Sequence, residues 1–432
     1  MADTPESQWL EHRRGAAARA LRRAVSATDL EFERPGFGWK VRPAPGSILA
    51  SPRGAHWDPD PDYFHHWVRD GAIVLAAIPE AMAADPEAGG FWRQAIADHI
   101  RFSLAISDPA RKGPAVNPLK ETTQPSHLRF LRRDEELRAL EGSLWLAETR
   151  FGPDGRPDLE QWARPQDDGP ALRAAALIRI TEALPEMAGP EADALIERDL
   201  AHTVSVAGRL CFGPWEEAPM RRTTFTLISQ WDALTRGMEW GRARTLDRAA
   251  LRQAADRVAD LVSRAADPET GGWRESLEAP AGELDAATVL AILHAGRTSG
   301  PFALNAPRTL ATAAALEALF ARLYPLNHTR AVPAVGRFER DVFFGGNPWY
   351  PVTLGFAELH YRIAMETADR KAFEKADRWM ALIESVSPEG DDLPEQIHRE
   401  TGAPASCRAL SWSSAAFLGA EAARRAALQA MG

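Results

Sequence analysis

Cysteine is almost missing from this 432-residue chain, which has two, Cys211 and Cys407. Two thiols cannot build a disulfide framework or a four-ligand zinc site, and each reads as a buried small hydrophobe. No apolar run approaches the roughly 18 residues that a membrane span needs. The start, MADTPESQWLEHRRGAAARALRR, is charged and lacks the apolar core and cleavage site of a secretory signal. A cytoplasmic location with no membrane partner is therefore expected. Basic blocks are missing too: 51 Lys and Arg stand against 60 Asp and Glu, a net charge of −9. That balance argues against a nucleic-acid partner. There is no Walker motif, no Gly-x-Gly-x-x-Gly and no Gly-x-Ser-x-Gly elbow, which removes three common reaction classes.

Metal chemistry finds little to use. His65 and His66 are adjacent, which on a helix points them about 100° apart. The run Asp58-Pro59-Asp60-Pro61-Asp62 imitates the start of a calcium loop. Tyr63 stands where that loop needs Gly, and Arg69 where it needs a bidentate Glu. No metal site and no cofactor are expected.

What is present is helical periodicity. The chain is 45% hydrophobic and 26% charged, ordinary for a globular protein. In residues 250–267, Leu251, Ala255, Val258 and Leu261/Val262 recur at three-four spacing until the turn Asp267-Pro268-Glu269-Thr270-Gly271-Gly272. Comparable Ala-rich stretches lie at 8–25, 62–84, 91–107, 170–187, 192–207, 223–240, 284–296, 307–324, 348–366, 370–386 and 412–430. No alternating strand series competes, so the fold class is all-α. Short breaks alternate with long Gly/Pro-rich segments at 26–61, 108–169, 208–222, 325–347 and 387–411. Paired helices with long loops at every second connection predict a closed toroid, one domain over 1–432, with one working face.

Those loops hold the unusual chemistry. Tyrosine is scarce at 4 residues, whereas tryptophan numbers 14. An indole ring with one N–H suits packing against a sugar's C–H face as well as a core. Carboxylates stand among tryptophans and arginines at Trp67-Val68-Arg69-Asp70, Trp162 to Pro170, Trp215-Glu216-Glu217 and Leu393-Pro394-Glu395-Gln396. One such carboxylate reads as a solvated surface group. Four clusters in or beside long loops read as a site.

The order of these motifs resembles the catalytic domain of the glucoamylases, inverting exo-glucosidases of glycoside hydrolase family 15. The resemblance rests on Ser51-Pro52 then Pro61 to Asp70, on Arg164 to Arg173, and on Trp215-Glu216-Glu217. It continues through Gly336-Arg337 with Gly346-Asn347-Pro348-Trp349, then Glu395-Gln396 with Leu410-Ser411-Trp412-Ser413. It spans about residues 7–425 and implies an (α/α)₆ barrel of six inner and six outer helices. It also implies roles: Glu216 as general acid, Glu395 as general base, and no metal or organic cofactor. Tyr63 and Ser406 match groups that orient the base or its water. Arg69, Asp70 and Arg337 match the terminal-sugar clamp, with Glu217 among the sugar contacts. Trp67, Trp162, Trp215, Trp349 and Trp412 match pocket walls. Arg164, Asp168 and Arg173 read equally well as local salt bridges and helix caps.

Glycoside cleavage needs one carboxyl to protonate the departing oxygen and another to activate water, about 6.5–9.5 Å apart in an inverting enzyme. Glu216 must keep its proton, through burial or a neighbouring charge, and Glu217 is the obvious neighbour. Three departures from the resembled pattern stand near the leaving-group side: Gly213 in place of an Asp, His65 in place of an aromatic, and a lengthened loop at Gly54–Pro59. The expected substrate is a short α-gluco-oligosaccharide. The alternatives are an enzyme restricted to α-1,6 links, as in isomaltose or dextran fragments, and a sugar-sensing domain without catalysis.

Overall fold

Two kinds of helix build the chain, and they differ in how much of their circumference is buried. In the computed structural model, which describes residues 5–55 and 60–432, Arg248–Arg264 (α8) buries only one stripe. That stripe is Leu251, Ala254, Ala255, Val258, Leu261 and Val262, and Asp247 caps the helix by accepting the Ala249 N–H. Truncating a fully buried member such as Leu251 to Ala would cost about 2–5 kcal/mol. In Ala287–Ala295 (α9), by contrast, eight of nine residues are buried, and the helix stops at Gly296 in the left-handed conformation. A helix apolar all round belongs inside a ring of others.

That ring is an (α/α)₆ barrel. The inner helices are Val68–Ala84 (α2), Gly169–Ala183 (α5), Thr224–Glu239 (α7), α9, Tyr350–Thr367 (α11) and Ser411–Met431 (α13). Each packs on the next, and α13 closes on α2. The outer helices are Pro5–Ala24 (α1), Gly89–Ile106 (α3), Pro190–Val206 (α6), α8, Pro307–Leu323 (α10) and Arg370–Val386 (α12). Alanines on the inner helices let backbones approach closely. The tightest contact uses Gly355 of α11, where a Cβ would meet Leu290 Cδ2 of α9 at 2.7 Å.

Because outer and inner helices alternate along the chain, every outer-to-inner link arrives at the N-terminal end of an inner helix. These links are the long ones, and they carry a five-residue helix, Asp134–Arg138 (α4), and three two-stranded antiparallel ribbons. The ribbons are Phe32–Arg34 (β1) with Trp39–Val41 (β2), His66–Trp67 (β3) with Arg150–Phe151 (β4), and Gln396–Ile397 (β5) with Pro404–Ala405 (β6). The reverse links are short, two residues between α11 and α12. Inner-helix N-termini therefore gather on one face, where their partial positive charge favours carboxylates.

Three expected boundaries move. Residues 62–67 are not helix: Trp67 pairs with Arg150, and α2 begins only at Val68. α8 ends at Arg264 and α9 starts at Ala287 rather than 284, so 265–286 is a sixth long link. α5 ends at Ala183 because Leu184 precedes Pro185, which disfavours helical backbone there. Trp57 and the Asp58-Pro59 part of the calcium-like run lie outside the described residues.

Candidate active site

The turn that carries Glu216, before α7, is built on backbone that most residues avoid. Glu216 has φ +64°, and its N–H bonds the Gly213 carbonyl at 3.0 Å. A non-glycine residue in the left-handed region costs energy and persists only where its surroundings hold it. Here the side chain is gripped by three N–H donors. Trp67 Nε1 donates to Oε1 at 2.8 Å, Arg69 Nη2 to Oε1 at 3.1 Å, and Trp162 Nε1 to Oε2. Behind the two indoles lies the wholly buried Arg150 guanidinium, 3.6 Å from the Trp162 ring centre and 4.9 Å from that of Trp67.

Glu395, just before β5, is held by hydroxyls instead. Tyr63 Oη donates to its Oε1 at 3.0 Å, and Ser406 Oγ donates to Oε2. Ser406 also has positive φ, +58°, on the opposite arm of the β5–β6 ribbon. Glu395 is 2% exposed, and burial pushes its carboxyl up to about 7 against the pull of Ser406, Tyr63 and Arg337.

Both carboxyls line one cavity of about 510 Å³. Its wall includes Tyr63, Trp67, Arg69, Asp70, Trp162, Trp215, Glu217, Arg337, Trp349 and Trp412, so every expected site residue but Ser406 is on it. Ser406 sits behind Glu395. Trp215 lies 5.2 Å from Trp349 and stacks at 6.2 Å on Trp412, with Arg337 5.4 Å from its ring. Arg337 is gripped by Asp341 through Nε at 2.8 Å.

Charge is arranged differently from the expectation. Glu217 pairs its half-exposed carboxylate with Arg337 at 2.7 Å. The carboxyls that share Arg69 with Glu216 are Asp70, at 3.7 Å, and Asp168, at 3.5 Å. Burial pushes both up to about 6, with Arg69 opposing. Asp168 makes no cap hydrogen bond to α5, so it belongs to the site's charge network. Arg164 and Arg173 are structural, pairing with Asp158 and, bidentately, with Asp199.

Residues that the sequence reading passed over are Gln166, which accepts from Arg69 at 2.8 Å, Phe343 on the wall, and Asp285. Asp285 accepts the Trp215 indole N–H with both oxygens at 2.9 Å. The departures also find their places. His65 is off the cavity wall, buried beside Arg34 and Trp67, and burial with Arg150 and Arg34 holds it well below the usual imidazole range. Gly213 lines a neighbouring cavity of about 710 Å³ that shares Pro214 to Glu217 with the first. A Cβ at 213 would meet Thr223 Cγ2 at 2.7 Å, so an Asp has no room there.

One group of potential metal ligands exists among the described residues: His65, Asp158 and Glu160, within 4.8 Å of one another. Arg150 at 2.9 Å from Asp158 and Arg34 at 3.4 Å from Glu160 already supply the positive charge. Cys211 and Cys407 are both free and buried, with their thiols pushed up by desolvation, that of Cys407 to about 12. They suit packing rather than reactivity.

The family model described as Glycosyl hydrolases family 15 matches residues 38–422. Glucoamylase-1 of Arthroderma benhamiae is 28% identical over 91% of this chain and 66% of its own length. Glucoamylase-1 of Schizophyllum commune is 27% identical over 90% and 70%. The chain thus spans about two thirds of these relatives. Among solved structures, the glucoamylase of Hormoconis resinae superposes with a TM-score of 0.78 at 24% identity, over 96% of this chain and 73% of that one. The glucoamylase of Saccharomycopsis fibuligera superposes at 0.76 and 20% identity, over 98% and 96%. These two likenesses establish the fold. Neither the α-1,6-restricted reading nor the sugar-sensing one gains support from them.

Proposed function

The chain belongs to the family 15 glycosyl hydrolases, and on that premise we propose that it is an exo-acting α-glucosidase that releases β-glucose from short α-gluco-oligosaccharides with inversion. The observation that carries this is the contrast in one cavity between a carboxyl held by three N–H groups and a second held by two hydroxyls.

Each environment suits one half of the reaction. Glu216 gives its proton to the departing glycosidic oxygen and ends as a carboxylate, facing Trp67, Arg69 and Trp162. Those donors strengthen as negative charge grows on Glu216, so they favour the transition state over the ground state. Glu395 takes a proton from water on the opposite face of the sugar, while Tyr63 and Ser406 fix the direction of its oxygens. Asp70, Arg69 and Arg337 present charged groups to the hydroxyls of the terminal sugar, which fixes its orientation. Two carboxyls and one water complete the chemistry.

A proton NMR time course on equimolar maltose and isomaltose tests the reading. Early β-glucose, before mutarotation, is expected. Early α-glucose would remove the inverting mechanism, and consumption order reports linkage preference. For location, the cytoplasm remains a proposal, supported by the two free buried thiols.

A further inference from the structure

Asp285 is buried and lies on the wall of the second cavity, on the far side of Trp215 from the sugar pocket. It arrives on the link before α9, and its Oδ1 also accepts the Ala287 N–H at 2.7 Å, which caps that helix. Its remaining capacity goes to Trp215 Nε1, which lies 2.9 Å from each oxygen. A carboxylate astride one indole N–H fixes the tilt of the ring, because rotation about either side-chain bond breaks both contacts.

Trp215 is the residue before Glu216, whose backbone sits at φ +64°. Its ring is pressed by Trp349, Trp412 and Arg337, contacts that limit its position but allow it to slide. Only the N–H contact is directional. The charges around Asp285 are Glu275 from the link after α8, and Arg337 from the link before α11. Glu275 is itself paired with Arg221 at 2.9 Å. No cation of this group is within salt-bridge distance of Asp285 among the described residues, so its chief partner is the indole.

We propose that Asp285 is a positioning residue that locks Trp215 and, through it, the strained turn that aims Glu216 at the glycosidic oxygen. The proposal rests on the hydrolase reading above and deepens it. The carboxylate has two separable duties, capping α9 and holding Trp215. Asp285→Ser keeps a capping oxygen but is too short to reach the indole. Asp285→Asn keeps an oxygen at the Oδ1 position for both N–H groups but sets an amide NH2 against the indole N–H at the other, so one of the two contacts to Trp215 is lost.

The test measures kcat and KM on maltose for Asp285→Ser, Asp285→Asn, Trp215→Phe and the Trp215→Phe/Asp285→Ser double variant, with melting temperatures alongside. Asp285→Ser should lower kcat about tenfold to a hundredfold with KM changed little, because the acid is misaimed in the transition state. Asp285→Asn, which keeps one of the two contacts, should lose less than Asp285→Ser. In the Trp215→Phe background, where no indole N–H remains, Asp285→Ser should cause no further loss. A loss that multiplies in the double variant overturns the proposal. A second readout needs no turnover. The indole N–H resonance of Trp215, assigned by its disappearance in Trp215→Phe, should shift and exchange faster with water in Asp285→Ser. If it does neither, Asp285 does not hold the ring. If wild type releases no glucose from maltose while the resonance behaves as expected, the hydrolase reading fails and the anchoring stands.

Discussion

Glu216 and Glu395 face the same cavity, yet their surroundings have almost nothing in common. Around Glu216 are indole and guanidinium N–H groups, a buried arginine behind the rings, and two further carboxyls sharing Arg69. Around Glu395 are two neutral hydroxyls, near-complete burial and the Arg337 charge at longer range. The first environment can absorb a developing negative charge. The second holds a group that takes up a proton readily, because its charge is poorly solvated. The lesson is that the two carboxyls, both glutamates, are distinguished by donor type, N–H groups for Glu216 and hydroxyls for Glu395.

The strongest break of this contrast is removal of either carboxyl. Glu216→Gln and Glu395→Gln should each lower turnover of maltose about 10²- to 10⁴-fold, with folding unchanged. An aryl glucoside whose leaving group departs without protonation should then separate them, restoring most of the rate to Glu216→Gln and little to Glu395→Gln. Equal restoration of both would mean the roles are misassigned.

Next comes removal of single donors to the acid. Trp67→Phe and Trp162→Phe keep a ring and delete one N–H, and should lower kcat about tenfold to a hundredfold with KM moved less. A change confined to KM would show that these rings only bind sugar.

The pH profile sharpens the other side. As the proposed base Glu395 must be ionised, and its carboxyl is pushed up to about 7, with Asp70 at about 6. Activity should therefore rise as pH increases through about 6–7 and be lost below. In kcat/KM this limb belongs to the free enzyme. A plateau extending down to pH 5 would show that Glu395 is better solvated than its burial implies. Smallest in rate are Tyr63→Phe and Ser406→Ala, about two- to tenfold. Each deletes a hydrogen bond that lowers the Glu395 carboxyl, so each should move the same limb to higher pH. A downward move would reverse the sign of that coupling.

The all-α toroid was legible because three-four spacing in α8 and α12 marks a single buried face, and Asp247 and Asp369 supply side-chain caps. The start of α2 was misread. Trp67 caps α2 with no side-chain bond, and its pairing with Arg150 overrides the helical pattern upstream. Motif-borne residues such as Glu216, Glu395 and Arg337 were visible because their neighbours in sequence are unusual. Asp285 was not, since Glu283-Leu284-Asp285 looks like any helix entry and its partner is 70 positions away. The pairing of Glu217 with Arg337, 120 positions apart, was hidden for the same reason.

Closure of the inner ring between α2 and α13 also sets an order of assembly during synthesis. Glu395, Ser406 and the whole of α13 belong to the last tenth of the chain, and α13 packs on α1, α2 and α11. A nascent chain that has emerged only as far as α12 has its acid turn, the Trp67 and Trp162 donors and five inner helices, but an open seam where the sixth belongs. Contacts between such distant segments form late and slowly. Glu395, the last inner helix and the final seam therefore emerge after the other five inner helices, and Glu395 joins Glu216 in one cavity only when the barrel closes.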